Sequence, residues 1–306
     1  MVSRIPLGGN EVVSLDIRHV VRRGASARFC VPENAWAGAN QGYSRWSVLD
    51  ETTPAVHTAF GICRLDAGGH LSARVHSYEE NFFILDGTLV LQCLGYAALL
   101  EPGDYGMLPV GAAHSWHNES GGPVRWAEML APPPRPRFGA NTFPVPALSR
   151  TPPESVAVLD PSTRALGHVD PVRAQPEKRA PERRPSSDPP PSFDRPPASA
   201  SQRTALLVSR SITMTMMVDA EAGAEQATMF LAEYASDGAI GRHHHPFEET
   251  YLFLEGTVET EFDGTTYVLG PGDIAFAGIG CVHAFRNIGN GPLRWLETQS
   301  PQPTAG

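Results

Sequence analysis

The chain has 306 residues, enough for two domains of ordinary size. Apolar residues make up 41% and charged residues 19%, so a sizeable core can form. The net charge of -9 leaves no basic footprint for nucleic acid, and no apolar run approaches the ~18 residues of a membrane span.

Gly and Pro number 29 each, which suits short strands joined by turns. The N-terminal stretch MVSRIPLGGNEVVSL lacks the apolar centre of a signal peptide. Cys30, Cys63, Cys93 and Cys281 are scattered, with no C-x-x-C pair. These features predict a reduced, cytoplasmic protein.

Residues 1–54 form a preamble with two short strand signals, Arg28 to Val31 and Ser44 to Leu49. The preamble is expected to pack across the first domain or a partner subunit. A first domain spans 55–149. HTAFGICRL, from His57, roughly alternates and reads as a strand. NFFILDGTLVLQCLG reads as two strands forming a hairpin at Asp86-Gly87. Further short strands follow around Pro and Gly turns, and PVRWAEML closes the set. Residues 150–203 break the pattern: twelve prolines fall between Pro152 and Pro197, with few large apolar side chains. Such a segment buries too little surface to offset its ordering entropy, so a disordered linker is expected. The second domain covers 204–306, opening with SITMTMMV and QATMFLAEYA as strands.

A shift of 169 residues lays the chain on itself. His76 falls on His245, Glu79 and Glu80 on Glu248 and Glu249, Gly87 on Gly256, and His114 on His283. Between positions 69 and 134 there are 22 identities in 66 positions without a gap. Chance gives about one match in fifteen to twenty. The chain therefore contains two copies of one domain.

The second copy concentrates metal-ligand types. His243 and His245 are two apart, so on a strand they face the same side, and Glu249 keeps their parity. His283 has to arrive from another strand. Three imidazoles and a carboxylate suit a divalent transition metal; Fe(II) and Mn come first, and Ni, Zn and Cu stay open. Remaining coordination positions would admit water, substrate or dioxygen. Tyr251 and Phe253 share the parity of Glu249, and Phe285 follows His283, so these three are expected in a substrate pocket or in the barrel core around it. His244 faces the other side. Cys281 reads as a small buried thiol.

These residues resemble the cupin family. Its first motif, G-x5-H-x-H-x3-E-x6-G, is matched by His243, His245, Glu249 and Gly256, with Gly238 one residue off the first glycine. Its second motif, G-x5-P-x-G-x2-H-x3-N, is matched by Gly103, Pro109, Gly111, His114 and Asn118. In the second copy Gly272, Gly280, His283 and Asn287 match, with Gly278 in place of proline. The resemblance covers roughly residues 55–135 and 225–300. It implies an all-β bicupin of two double-stranded β-helix (jelly-roll) barrels joined by the Pro-rich linker.

The first copy departs from the pattern. Arg74 stands at the first histidine position, and a guanidinium does not ligate a metal. His76, Glu80 and His114 remain, and Arg74 is placed to pair with Glu80. A metal-free, structural first domain is expected, with His70 a weak substitute ligand.

The three-His, one-Glu set looks like that of cupin oxygenases, including bicupin dioxygenases that cleave aromatic or diketone substrates. This implies a metal-dependent enzyme of dioxygenase type acting on a small molecule; no separate general base is evident. One alternative is a hydrolase or isomerase similar to bicupin ureidoglycine aminohydrolases, whose turn resembles Gly103-Asp104-Tyr105 but whose ligand types differ. Another is a non-enzymatic cupin that binds a small ligand. Cupins are often dimers, which leaves a homodimer open.

Overall fold

A computed structural model describes residues 17–32, 39–158, 165–169, 198–199 and 209–302. Strands β1 (His19–Arg22) and β2 (Asn40–Leu49) precede the first barrel. That barrel comprises β3 (Ala59–His76), β4 (Glu79–Asp86), β5 (Leu89–Cys93), β6 (Tyr96–Leu100), β7 (Asp104–Leu108), β8 (His114–His117) and β9 (Val124–Ala131). Four short strands follow: β10 (Thr142–Pro144), β11 (Glu154–Ser155), β12 (Leu166–His168) and β13 (Ala198–Ser199). The second barrel comprises β14 (Ser209–Val218), β15 (Thr228–His244), β16 (Glu248–Glu255), β17 (Val258–Phe262), β18 (Thr265–Leu269), β19 (Ile274–Ala277), β20 (His283–Asn287) and β21 (Leu293–Ser300).

Each barrel is a sheet curled on itself. In the first, the order is β11-β6-β5-β8-β3-β9-β4-β7-β12, with β2 and β10 also on β3. In the second it is β1-β19-β16-β21-β15-β20-β17-β18, with β13 and β14 also on β15. The long strands β3 and β15 each serve two neighbours in turn: β3 pairs β9 through Ala59–Leu65, then β8 through His70, Leu71 and Arg74.

Period-two alternation on β3 explains why both of its faces are buried. Cys63 and Leu65 enter the first barrel's core with Phe82, Leu91 and Trp126. Phe60 and Ile62 point the other way, into a core shared by the two barrels. That shared core sets Val48, Leu49, Phe60, Ile62, Phe83 and Met107 against their counterparts 169 residues on: Met217, Val218, Met229, Leu231, Leu252 and Phe276. The barrels therefore meet about a pseudo-two-fold axis through an apolar face. Burying a side chain of this size stabilises by roughly 1.5–3 kcal/mol.

Two backbone clamps flank this face. The Glu248 carboxylate accepts from the N–H groups of Val56 and His57 at 2.6 and 2.9 Å. Its counterpart Glu79 accepts from Glu225 and Gln226 at 2.7 and 3.0 Å.

The preamble differs from expectation. β2 does pack on the first barrel, along β3. β1, however, crosses to the second barrel of the same chain and pairs with β19, His19 opposite Ala277. The exchange is mutual, because β12, which precedes the second barrel, pairs with β7 of the first. Each arm is anchored on the same aspartate of the repeat: Arg23 meets Asp273 at 2.8 Å, and His168 meets Asp104 at 2.7 Å. The Arg28–Val31 stretch gives a single bridge, Cys30 to Arg45. The segment 150–203 is not all free spacer, since β11, β12 and β13 pair with barrel strands. Within it, residues 159–164, 170–197 and 200–203 lie outside the described residues, as do 1–16.

The Asp86-Gly87 hairpin is also corrected. β4 pairs with β7 and β9, and β5 with β6 and β8, so the two strands are not partners. Gly87 has φ +78, and a Cβ there would lie 2.8 Å from the Pro123 carbonyl oxygen. Glycine is present for a close crossing between sheets rather than for a tight hairpin. Gly256 repeats the feature, with φ +82 and a Cβ contact of 2.5 Å to the Pro292 oxygen.

Candidate metal centre

His243, at the end of β15, lies opposite His283 of β20 in the strand register. His245 follows just beyond β15. Glu249 enters from β16, opposite Gln299 of β21. The donor nitrogens of His243, His245 and His283 lie within 4.8 Å of one another. Glu249 closes the set: its Oε1 is 3.4 Å from His245 Nε2 and its Oε2 is 3.1 Å from His283 Nε2. All four side chains are buried. The four residues read from the sequence are thus brought together.

Hydrogen bonds orient the rings. His243 Nδ1 lies 2.8 Å from the Gly241 carbonyl oxygen, and His283 Nδ1 lies 2.9 Å from that of Cys281. A carbonyl only accepts, so both Nδ1 atoms carry the proton and both Nε2 lone pairs face the centre. His283 Nε2 is buried and has no hydrogen-bond partner. An inward lone pair without a donor beside an ionised carboxylate is the arrangement a divalent cation satisfies, so these donors fit a metal.

Glu249 is held by two further residues. The Tyr251 hydroxyl donates to its Oε2 at 2.6 Å, and Gln299 Nε2 donates to its Oε1 at 3.0 Å. Burial alone would raise the Glu249 pKa, but His245, His283 and the Tyr251 hydrogen bond outweigh it and hold the carboxyl well below the usual range. Beneath it lies Glu297, which accepts from Trp295 Nε1 at 2.9 Å and from Gln299 Nε2 at 3.2 Å. Burial and the neighbouring Glu249 charge push Glu297 well above an ordinary carboxylate. Burial and its histidine neighbours drive the His243 pKa far down, which keeps it neutral and free to ligate.

Tyr251 and Phe285 stand beside His283, with ring centroids 6.1 and 5.7 Å away. Phe253 packs on Trp295 at 5.8 Å in the barrel core. Cys281 turns from the cluster toward His19 and Asp263. His244 is half-buried. Gln299 and Glu297 were not anticipated. The signal was in the repeat, where Gln299 and Tyr251 stand against Leu130 and Phe82 of the first copy.

In the first barrel, His76, Glu80 and His114 also converge. Glu80 Oε2 is 3.3 Å from His76 Nε2 and 3.5 Å from His114 Nε2. Arg74 does not pair with Glu80. It donates to the Ser72 carbonyl oxygen at 2.8 Å and to Asn40 Oδ1 on β2. His70 stacks on His117, outside the cluster. Glu80 lacks the tyrosine and glutamine donors of Glu249, and burial raises its pKa.

The two histidines here are neutral. Burial, helped by Arg74, lowers His76 from 6.5 to about 3. Burial lowers His114 from 6.5 to about 4 against the pull of Glu80. Each takes up a proton on unfolding at any pH between its folded value and 6.5. Stability is therefore lost as pH falls below about 6, by roughly 1.4 kcal/mol per pH unit for each imidazole. Thermal melts between pH 7 and pH 5 should show a steadily falling midpoint; a flat profile would count against neutral buried histidines.

Two jelly-roll barrels, with His and Glu donors clustered inside, define a metal-binding all-β protein. The cupin domain family model matches residues 61–130 and 230–298, once in each barrel. The chain thus carries a cupin domain in each half, the arrangement of a bicupin.

Polyketide synthase CurC of Streptomyces cyaneus is 30% identical over 96 residues, covering 30% of this chain and 62% of that protein. The chain thus spans less than two thirds of that relative's length. Among solved structures, protein Ylba from E. coli aligns with a TM-score of 0.60 at 11% identity, covering 94% of this chain and 93% of that one. The oxalate decarboxylase of Lactobacillus farciminis, in its formate complex, aligns with a TM-score of 0.57 at 18% identity, covering 94% and 87%. At such identities the likeness is one of fold. No helix among the described residues is long and apolar enough to cross a membrane.

Proposed function

We propose that the second barrel holds one divalent transition metal, Fe(II) or Mn, on His243, His245, Glu249 and His283. There it acts as a dioxygenase-type enzyme on a small molecule. The observation that carries this reading is the His283 Nε2 lone pair, buried without a partner beside an ionised Glu249. The bound metal would supply Lewis acidity and a place for dioxygen beside the substrate. Tyr251 and Gln299 fix the Glu249 carboxylate so that both oxygens stay aimed at the histidines. Phe285 and Tyr251 form an apolar wall that excludes water from this side of the centre. We further propose a metal-free first barrel, since Glu80 is driven toward its neutral form and Arg74 replaces a ligand.

The substrate we propose is a polyketide-type molecule, phenolic or a 1,3-diketone. The name of the Streptomyces cyaneus relative supports it. Adjacent oxygens of an enolised diketone or a catechol are suited to bind one ion in pairs. Oxygen uptake tests the reading. Protein loaded with Fe(II) and given acetylacetone or a catechol should consume oxygen in proportion to product, and a Glu249→Gln variant should not. Product formed equally well without oxygen would make the enzyme a hydrolase, isomerase or lyase instead.

A further inference from the structure

Two residues of the second barrel depart from the repeat at one place. Asp263 stands where the first copy has Leu94, and Gly278 where it has Pro109. Both meet Arg18, which directly precedes β1. The Gly278 N–H donates to the Arg18 carbonyl oxygen at 2.7 Å. Arg18 Nε and Nη2 donate to the two oxygens of Asp263 at 3.1 and 2.8 Å, and Nη1 donates to the Gly280 carbonyl oxygen at 2.8 Å. A Cβ at position 278 would lie 2.9 Å from the Arg18 oxygen, while the next nearest atom, on Phe276, is at an ordinary 3.5 Å. The arm alone therefore accounts for the glycine. Proline there would remove the N–H and press on the Arg18 carbonyl.

The loop that receives these bonds leads into the candidate metal centre. The Gly280 N–H donates to the His245 carbonyl oxygen at 2.9 Å, and His283 Nδ1 donates to the Cys281 carbonyl oxygen at 2.9 Å. Asp263 holds the residue between them. Its Oδ1 accepts from the Val282 N–H at 3.0 Å, and its own N–H donates to the Val282 carbonyl oxygen at 2.8 Å. Arg18 thus connects to two of the four candidate ligands: to His245 through Gly280, and to His283 through Asp263 and Val282. The first copy keeps the inner half of this arrangement. There the Gly111 N–H donates to the His76 carbonyl oxygen at 2.9 Å, and His114 Nδ1 donates to the Ala112 carbonyl oxygen at 2.9 Å. The outer half has no means of forming, because Pro109 has no N–H and Leu94 no carboxylate.

Groups that orient metal ligands from behind typically carry about 10–100-fold in metal affinity. We propose that Arg18 is a positioning residue of the second barrel's metal centre. It pins residues 278–282 against Asp263, so that the His283 ring and the His245 backbone are held in place before a metal binds. The proposal rests on the reading of His243, His245, Glu249 and His283 as the ligands. It goes beyond that reading by making the arm part of the site and by explaining why Asp263 and Gly278 differ from the first copy. The bonds lie at the surface, with 45% of the Arg18 side chain exposed, so removing them leaves the barrel core intact.

Titration of metal-stripped full-length chain with Mn(II), followed by the paramagnetic resonance signal of the free ion, tests this. Arg18→Met should raise the Mn(II) Kd about tenfold or more, and Gly278→Pro, which sets the first copy's residue under the arm, should do the same. Arg23→Met is the control. It removes the arm's contact with Asp273, at the other end of β19 from the loop, and Kd should stay within about twofold. The visible absorption of Co(II)-loaded chain should shift in Arg18→Met and not in Arg23→Met, a difference that lost stability alone does not produce. A wild type that binds neither ion overturns the reading of the metal centre, and this inference with it. Wild-type binding that Arg18→Met leaves unchanged overturns this inference alone, as does an equal loss in Arg18→Met and Arg23→Met. Should Arg18→Met fail to fold, an unchanged Kd in Gly278→Pro has the same consequence.

Discussion

A His283→Ala variant is expected to lose its bound metal and to fall in turnover by at least about 100-fold, with both barrels still folded. His283 is 1% exposed, and its Nε2 faces Glu249 Oε2 at 3.1 Å. Alanine removes one of the four donors and leaves three around the centre. The fold should survive, because Phe285, Phe262 and Tyr251 pack around the position and do not depend on the ring's hydrogen bond. Metal content and oxygen uptake, with circular dichroism as the control, check the expectation. A variant that keeps its metal and its rate would remove His283 from the site.

The second large effect concerns the joint between barrels. Glu248→Ala is expected to destabilise the chain by about 1–3 kcal/mol, because the part-buried N–H groups of Val56 and His57 lose a carboxylate acceptor. Glu79→Ala removes the matching pair of bonds, to Glu225 and Gln226, and should cost a similar amount. Denaturant melts of both variants give the comparison. A change under about 0.5 kcal/mol in either would mean that these carboxylates are solvated and that the apolar face alone holds the barrels. The positions matter beyond stability: Glu248 and Glu79 each directly precede the carboxylate of a cluster, Glu249 and Glu80. Docking of the two barrels thus fixes where each of those strands starts.

The cluster of candidate ligands and the barrel class were legible because both depend on local spacing. His243 and His245 share a face by strand parity, and the repeat supplied His283 through His114. Partners set by the crossing of distant strands were not legible. Gln299 reaches Glu249 because β21 lies beside β16, a pairing that no local pattern records. The turn at Gly87 looked like a hairpin because Asp-Gly favours one, yet the jelly roll sends the two strands to different neighbours. β1 was unreadable for the same reason: a four-residue strand shows no sign of which barrel edge it will cover. Arg74 was placed beside Glu80 by sequence logic. The structure turns it to Asn40, because β2 offers a nearer acceptor than the barrel interior does.

Comparing the copies position by position carries more than either copy alone. Tyr251 against Phe82 and Gln299 against Leu130 separate a carboxylate held ionised from one driven toward neutrality. Phe230 against Gly61, where the Arg45 guanidinium takes the place of a side chain, separates an apolar interior from a charged one. One scaffold thus carries two unlike interiors, and chemistry is assigned to the second.

Elemental analysis of chain purified without added metal, wild type beside His245→Ala, tests that assignment most directly. The wild type should carry about one equivalent of transition metal per chain and His245→Ala close to none, while Arg74→His should gain a second equivalent. A wild type that holds no more metal than His245→Ala would contradict the assignment.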